Sequence, residues 1–147
     1  MIKLEKDIKQ RKVSKNIIIF DLDGVLIDSK KNMQKSWEEV QRNFNLQSFH
    51  FDNYFIELGK PFYEILNCLG IFKNKKKIKE TYDQASIKYN KLIKFYNNAI
   101  RELQILHSLN YKLCIVTSKD KIRTKLVIEK IEKLFDFIQC PQTNLKG

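Results

Sequence analysis

The sequence predicts an α/β fold: a parallel sheet interrupted, directly after its first strand, by a long all-helical insert. Three observations predict it. Ile17–Phe20 and Lys112–Val116 are short apolar runs of the kind that form strands inside a parallel sheet. About ninety residues separate them, where a crossover between parallel neighbours needs only about a dozen. Within that interval the apolar residues recur at helical spacing and do not alternate.

A chain of 147 residues allows one domain of ordinary size or a small core with an insert, and 43% hydrophobic residues suffice to bury a core. Residues 1–15 carry Lys3, Lys6, Lys9, Arg11, Lys12 and Lys15, relieved by Glu5 and Asp7. They are expected to form a basic N-terminal tail. The first strand then ends on Asp21, Leu22, Asp23 and Gly24. Strand side chains alternate, so Asp21 and Asp23 should leave on one side with Leu22 turned away. The C-terminal end of a parallel strand is where open α/β sheets bind ligands. Two adjacent carboxylates repel unless a cation or a shared proton lies between them, and Mg²⁺, which takes oxygen ligands, suits such a pair. One aspartate is then placed to attack phosphorus and the other to pass protons. Gly24 lets the backbone approach a phosphate; the plainer reading is an Asp-Gly turn.

Beyond Ser29, Met33, Trp37, Val40 and Phe44 mark one helix face. Tyr54, Phe55 and Leu58 form a short apolar cluster before the break at Gly59-Lys60-Pro61. Phe62, Ile65, Leu66 and Leu69 give the next buried stripe, stopped by Gly70. Ile78, Tyr82, Tyr89, Leu92, Ile93 and Tyr96 predict one long helix. Asn97-Asn98 marks a boundary, and Ile100, Leu103, Leu106 and Leu109 predict a further helix ending near Asn110. The second strand, Lys112–Val116, should pair in parallel with the first. Asp120 is expected to cap a helix that carries Ile122, Leu126 and Val127. Residues 135–139 are a weaker third strand, and 140–147 read as loop. Thr117 and Ser118 end the second strand at the same edge as Asp21, where a hydroxyl and backbone N–H groups are placed to hold a phosphate oxygen.

The formal charge is +11, from 28 Lys+Arg against 17 Asp+Glu. It reads as solvated lysine faces that attract anionic substrates. A nucleic-acid partner is not expected, because no reader motif accompanies the charge. Cys68, Cys114 and Cys140 are odd in number and widely spaced, which suggests neither a disulfide framework nor a zinc site. Cys114 is expected in the core. No apolar stretch approaches a membrane span and no leader segment stands out, so the cytoplasm is the expected location. Nothing in the sequence indicates an oligomeric state.

Asp21-Leu22-Asp23-Gly24-Val25-Leu26-Ile27-Asp28-Ser29 resembles the first motif of the haloacid dehalogenase superfamily, in its phosphatase branch. The resemblance implies that Asp21 is the nucleophile. It also implies that Asp23 is the general acid/base and that Mg²⁺ takes the Asp21 carboxylate and the Asp23 carbonyl. Dehalogenases of the superfamily usually lack the second aspartate, so Asp23 points to phosphate chemistry. Leu113 to Lys119 resembles the second motif, which makes Thr117 the phosphate-binding hydroxyl. Gly59-Lys60-Pro61-Phe62 resembles the cap loop of phosphoglycolate phosphatase-like members, which places Lys60 near substrate. Tyr96-Asn97-Asn98-Ala99 stands where many relatives have a Tyr-Pro-Gly-Val entry to the next helix.

Lys146 is the candidate for the third-motif lysine, and the acidic fourth motif is not present. The resemblance therefore implies a Rossmann-like core of residues 16–30 and 96–147, incomplete at its C-terminus, with a helical cap over 31–95. It implies Mg²⁺-dependent hydrolysis of a small phosphorylated metabolite, of the phosphoglycolate or sugar-phosphate class. A β-phosphoglucomutase-like phosphomutase and an inactive fragment are the alternatives. The 147 residues alone are expected to bind Mg²⁺ weakly and to turn over little.

Overall fold

The computed structural model describes residues 16–141. The basic tail and Lys146 lie outside the described residues. The fold is α/β, with a three-stranded parallel sheet of β1 (Ile17–Phe20), β4 (Lys112–Val116) and β5 (Phe137–Gln139) in the order β1-β4-β5. Ile17 pairs with Lys112 and Phe20 with Ile115; Cys114 pairs with Phe137. One face of the sheet is covered. Leu113 and Ile115 are fully buried there, against Leu103 and Leu106 of α5 (Ala99–Ser108) and Ile128 at the end of α6 (Lys121–Ile128).

The other face carries Ile17, Ile19, Val116 and Phe137, all more than 40% exposed. The first strand, expected inside a parallel sheet, is covered on one face only among the described residues. Cys114, expected in the core, is half-buried in the same cross-strand row as Ile19 and Phe137.

The insert is helical: α1 (Lys30–Phe44), α2 (Phe51–Ile56), α3 (Phe62–Cys68) and α4 (Lys75–Lys88). It has its own apolar cluster of Trp37, Val40, Tyr54, Ile65, Leu66, Ile71, Ile78 and Tyr82. Burying each large side chain stabilises it by about 1.5–3 kcal/mol. The contact between α1 and α4 also holds a polar stripe. Asn32 and Ser36 are buried. Asn32 Nδ2 donates to the Ser86 carbonyl at 2.8 Å, and Ser86 Oγ donates back to Asn32 Oδ1 at 3.0 Å. These reciprocal bonds satisfy polar atoms that would otherwise be costly to bury.

The chain enters and leaves the insert through an antiparallel ribbon of β2 (Ile27–Asp28) and β3 (Lys94–Phe95). The expected long helix through Tyr96 is therefore corrected. α4 ends at Lys88, and a 3₁₀ turn over Asn90–Leu92 leads into β3. In α6 Thr124 and Ile128 are buried and Val127 packs against the core, whereas Ile122 and Leu126 are about 40% exposed.

Asparagine makes the tight breaks. Asn45 and Asn110 follow α1 and α5, and Asn74 and Asn98 precede α4 and α5, all with φ between 55° and 65°. Asparagine tolerates this left-handed region better than any other residue except glycine. Asn98 thus adopts, at φ 65°, a conformation that glycine takes readily.

Glu39 of α1 accepts from Lys88 Nζ at 2.8 Å and from the Tyr89 hydroxyl at 2.6 Å, tying α1 to the end of α4. The Lys88 contact first, then Tyr89, hold its pKa down at about 2, from 4.5. A depressed carboxylate contributes stability above its unfolded pKa and loses it as pH falls through the folded value. Glu39→Gln should lower the melting temperature at pH 6, and the gap to wild type should close between pH 4.5 and 2. A gap of constant size across that window would refute the assignment.

Candidate active site

β1 and β4 run parallel, so Asp21 and Thr117, which follow them, emerge at the same end of the sheet. Past Asp21 the chain folds back on itself: Leu26 and Ile27 N–H groups both donate to the Leu22 carbonyl, at 3.0 and 3.1 Å. Gly24 sits in this loop at φ 79°, a conformation that strains residues with a Cβ. Leu22 is fully buried beneath the loop. Asp21 and Asp23 both open into a cleft of about 490 Å³, whose walls include Gly24, Asp28, Ser29, Met33, Gly59, Tyr96 and Ser118. The insert thus supplies one wall and the strand ends supply the other.

Asp21 is exposed, and its Oδ1 accepts the Leu22 N–H at 2.6 Å. Asp23 is more enclosed. Its Oδ1 accepts Ser29 Oγ at 2.5 Å and lies 3.3 Å from Lys119 Nζ. Thr117 is buried, and its Oγ1 accepts the Lys119 N–H at 3.2 Å. As an acceptor there, its hydroxyl keeps its own proton to donate elsewhere. The Lys119 carbonyl in turn accepts Thr124 Oγ1 at 3.0 Å.

Asp120 caps α6, accepting the Arg123 N–H at 3.0 Å, as its position after the strand suggested. Lys60 is exposed and pairs with Glu57, which raises its pKa. It borders a smaller recess of about 140 Å³ together with Asp23, Ser118, Lys119, Arg123 and Tyr82.

Sequence reasoning missed Ser29, Lys119 and Arg123. Arg123 joins the two parts of the molecule, pairing with Asp120 beside it and, at 3.3 Å, with Asp83 on α4. Burial works against its charge, but Asp83 and Asp120 outweigh it and its pKa moves up. Burial is also the main influence on Lys119, whose pKa moves down despite the opposing pull of Asp23. Burial raises the Tyr82 hydroxyl to about 12, so it stays protonated.

The oxygen donors Asp21 and Asp23 match a hard cation such as Mg²⁺ in chemistry. Asp21 faces the cleft with an exposed carboxylate. Among the described residues no group of three or more His, Cys, Asp or Glu side chains forms a metal cage. Any metal here would therefore keep several waters, as Mg²⁺ readily does. No helix among the described residues is long and apolar enough to cross a membrane.

Residues 18–146 match the family model for haloacid dehalogenase-like hydrolases. A phosphoglycolate phosphatase from Aquifex aeolicus is 28% identical over 129 residues, which cover 83% of this chain and 59% of the relative. A pyrophosphatase PpaX from Anoxybacillus flavithermus is 26% identical over 126 residues, 85% of this chain and 58% of the relative. The chain thus spans less than two thirds of the length of these relatives. A haloacid dehalogenase-like hydrolase from Streptococcus pneumoniae superposes with a TM-score of 0.75 at 21% identity, covering 86% of this chain and 61% of that one. At that identity the likeness concerns the fold.

Proposed function

The chain belongs to the haloacid dehalogenase-like hydrolases, and we propose that it hydrolyses a small phosphomonoester through an aspartyl-phosphate at Asp21. The observation that carries this reading is the pair Asp21 and Asp23 at the end of β1, opening into one cleft beside Ser118. Asp21 attacks phosphorus and the bond to the leaving oxygen breaks. Asp23 gives that oxygen its proton, then takes one from the water that cleaves the aspartyl-phosphate. The Thr117 hydroxyl and Ser118 hold phosphoryl oxygens, and Gly24 allows the backbone close to them. Ser29 and Lys119 fix the carboxylate of Asp23. Lys60 approaches the substrate from the insert, and Lys146 is the candidate for neutralising the nucleophile. Mg²⁺, held by the Asp21 carboxylate and the Asp23 carbonyl, would offset phosphate charge as a Lewis acid.

The substrate classes to try are those of the relatives, phosphoglycolate and pyrophosphate, with sugar phosphates beside them. Phosphate release by the purified protein, slow as expected for these 147 residues, should require Mg²⁺, stop with EDTA and return on adding excess Mg²⁺. No release from any of these substrates would overturn the reading. An isomerised sugar phosphate without free phosphate would replace it with a phosphomutase.

A further inference from the structure

We propose that Lys119 selects substrates whose leaving group carries a second negative charge, a carboxylate or a further phosphate. The inference rests on the reading above, in which Asp23 protonates the leaving oxygen. That role puts the leaving group against Asp23, and Lys119 Nζ lies 3.3 Å from the same carboxylate. The group next to the leaving oxygen therefore falls within reach of the ammonium.

Lysine is rarely so enclosed: this side chain is 5% exposed. Its ammonium has three N–H donors, and Asp23 Oδ1 already takes the Ser29 hydroxyl. Lys119 thus has donors left for a ligand. The neighbouring Arg123 is more fully engaged, held by both Asp120 and Asp83. The recess of about 140 Å³ bordered by Lys119, Arg123 and Lys60 is large enough for several water-sized groups, as a carboxymethyl or a phosphate requires. Its position is also fixed. The Lys119 N–H is bonded to Thr117 Oγ1 and its carbonyl to Thr124 Oγ1, so the ammonium stands in a set relation to the threonine that holds the phosphoryl group.

The test compares kcat/KM for phosphoglycolate and pyrophosphate, whose leaving groups are anionic, with ethyl phosphate, whose leaving group is neutral. Wild type, Lys119→Met and Lys119→Arg are measured with Mg²⁺ present. The wild-type protein should favour the anionic leaving groups, and Lys119→Met should reduce that ratio on the order of tenfold, as for a lost hydrogen bond to a charged group. Lys119→Arg should restore most of it. The phosphoglycolate and pyrophosphate arms separate carboxylate from phosphate. Calorimetric binding of phosphonoacetate against ethylphosphonate gives a readout that needs no turnover.

No anionic preference in the wild type would overturn the inference. So would an unchanged ratio in Lys119→Met, which would leave Lys119 only positioning Asp23. Loss of the phosphonoacetate preference in Lys119→Met, with no phosphate release from any substrate, would refute the hydrolase reading and leave Lys119 an anion-binding residue with no leaving group to select.

Discussion

Asp21→Asn should abolish phosphate release, with a fall on the order of 10⁴-fold or more in kcat. An amide is a poor nucleophile and cannot form the acyl-phosphate, and it offers a metal no negative charge. The fold should not suffer. Asp21 is exposed, and its one described hydrogen bond, from the Leu22 N–H to Oδ1, is one an asparagine oxygen also accepts. The loss should therefore appear in single-turnover phosphate release while circular dichroism and the melting temperature stay near wild type. A folded variant that keeps even a tenth of the wild-type rate would remove Asp21 from the nucleophile's role.

Trp37→Ala should cost about 3–5 kcal/mol of stability, the range for deleting a large buried aromatic. Trp37 is fully buried at the centre of the insert. Its ring stacks on Tyr54 with centroids 4.6 Å apart, and Nε1 donates to the Phe49 carbonyl at 2.7 Å. Truncation empties the centre of that cluster and removes a donor to a part-buried carbonyl. Typical domains have only about 5–15 kcal/mol in total, so the insert should lose order near room temperature. Urea unfolding followed by circular dichroism measures it; fluorescence would not serve, because Trp37 is the single tryptophan. A loss below about 1 kcal/mol would contradict the packing described, since surface changes usually stay within about 0.5 kcal/mol.

The strands of the core were legible because their signals are local. Ile17–Phe20 and Lys112–Val116 are apolar runs with polar residues at both ends, and both strands have those limits. The loop after β1 was legible for the same reason: alternation alone puts Asp21 and Asp23 together and buries Leu22. The end of α4 was not. Tyr89, Leu92, Ile93 and Tyr96 keep helical spacing although the backbone has turned into a 3₁₀ turn and β3. A two-residue strand is too short to show alternation. Asn32 and Ser36 escaped because hydropathy assigns polar residues to solvent, while their burial depends on Ser86, 54 residues beyond Asn32. Lys119 escaped for a related reason. Its enclosure comes from Asp23, Thr124 and the insert meeting around it, none of which its neighbours in sequence announce.

The β2–β3 ribbon has a further consequence for how the chain finds its fold. β1 must pair with β4 across about ninety residues, and loop-closure entropy disfavours such contacts until something shortens the loop. The insert provides that shortening. Once its helices have collapsed around Trp37, Asp28 and Lys94 lie opposite each other. The chain between them then behaves as a closed unit, and the remaining search from β1 to β4 is little longer than an ordinary strand–helix–strand crossover through α5. The same helices that wall the cleft in the native state are expected to act kinetically as a clasp, and Trp37→Ala should then slow refolding as well as destabilise the fold.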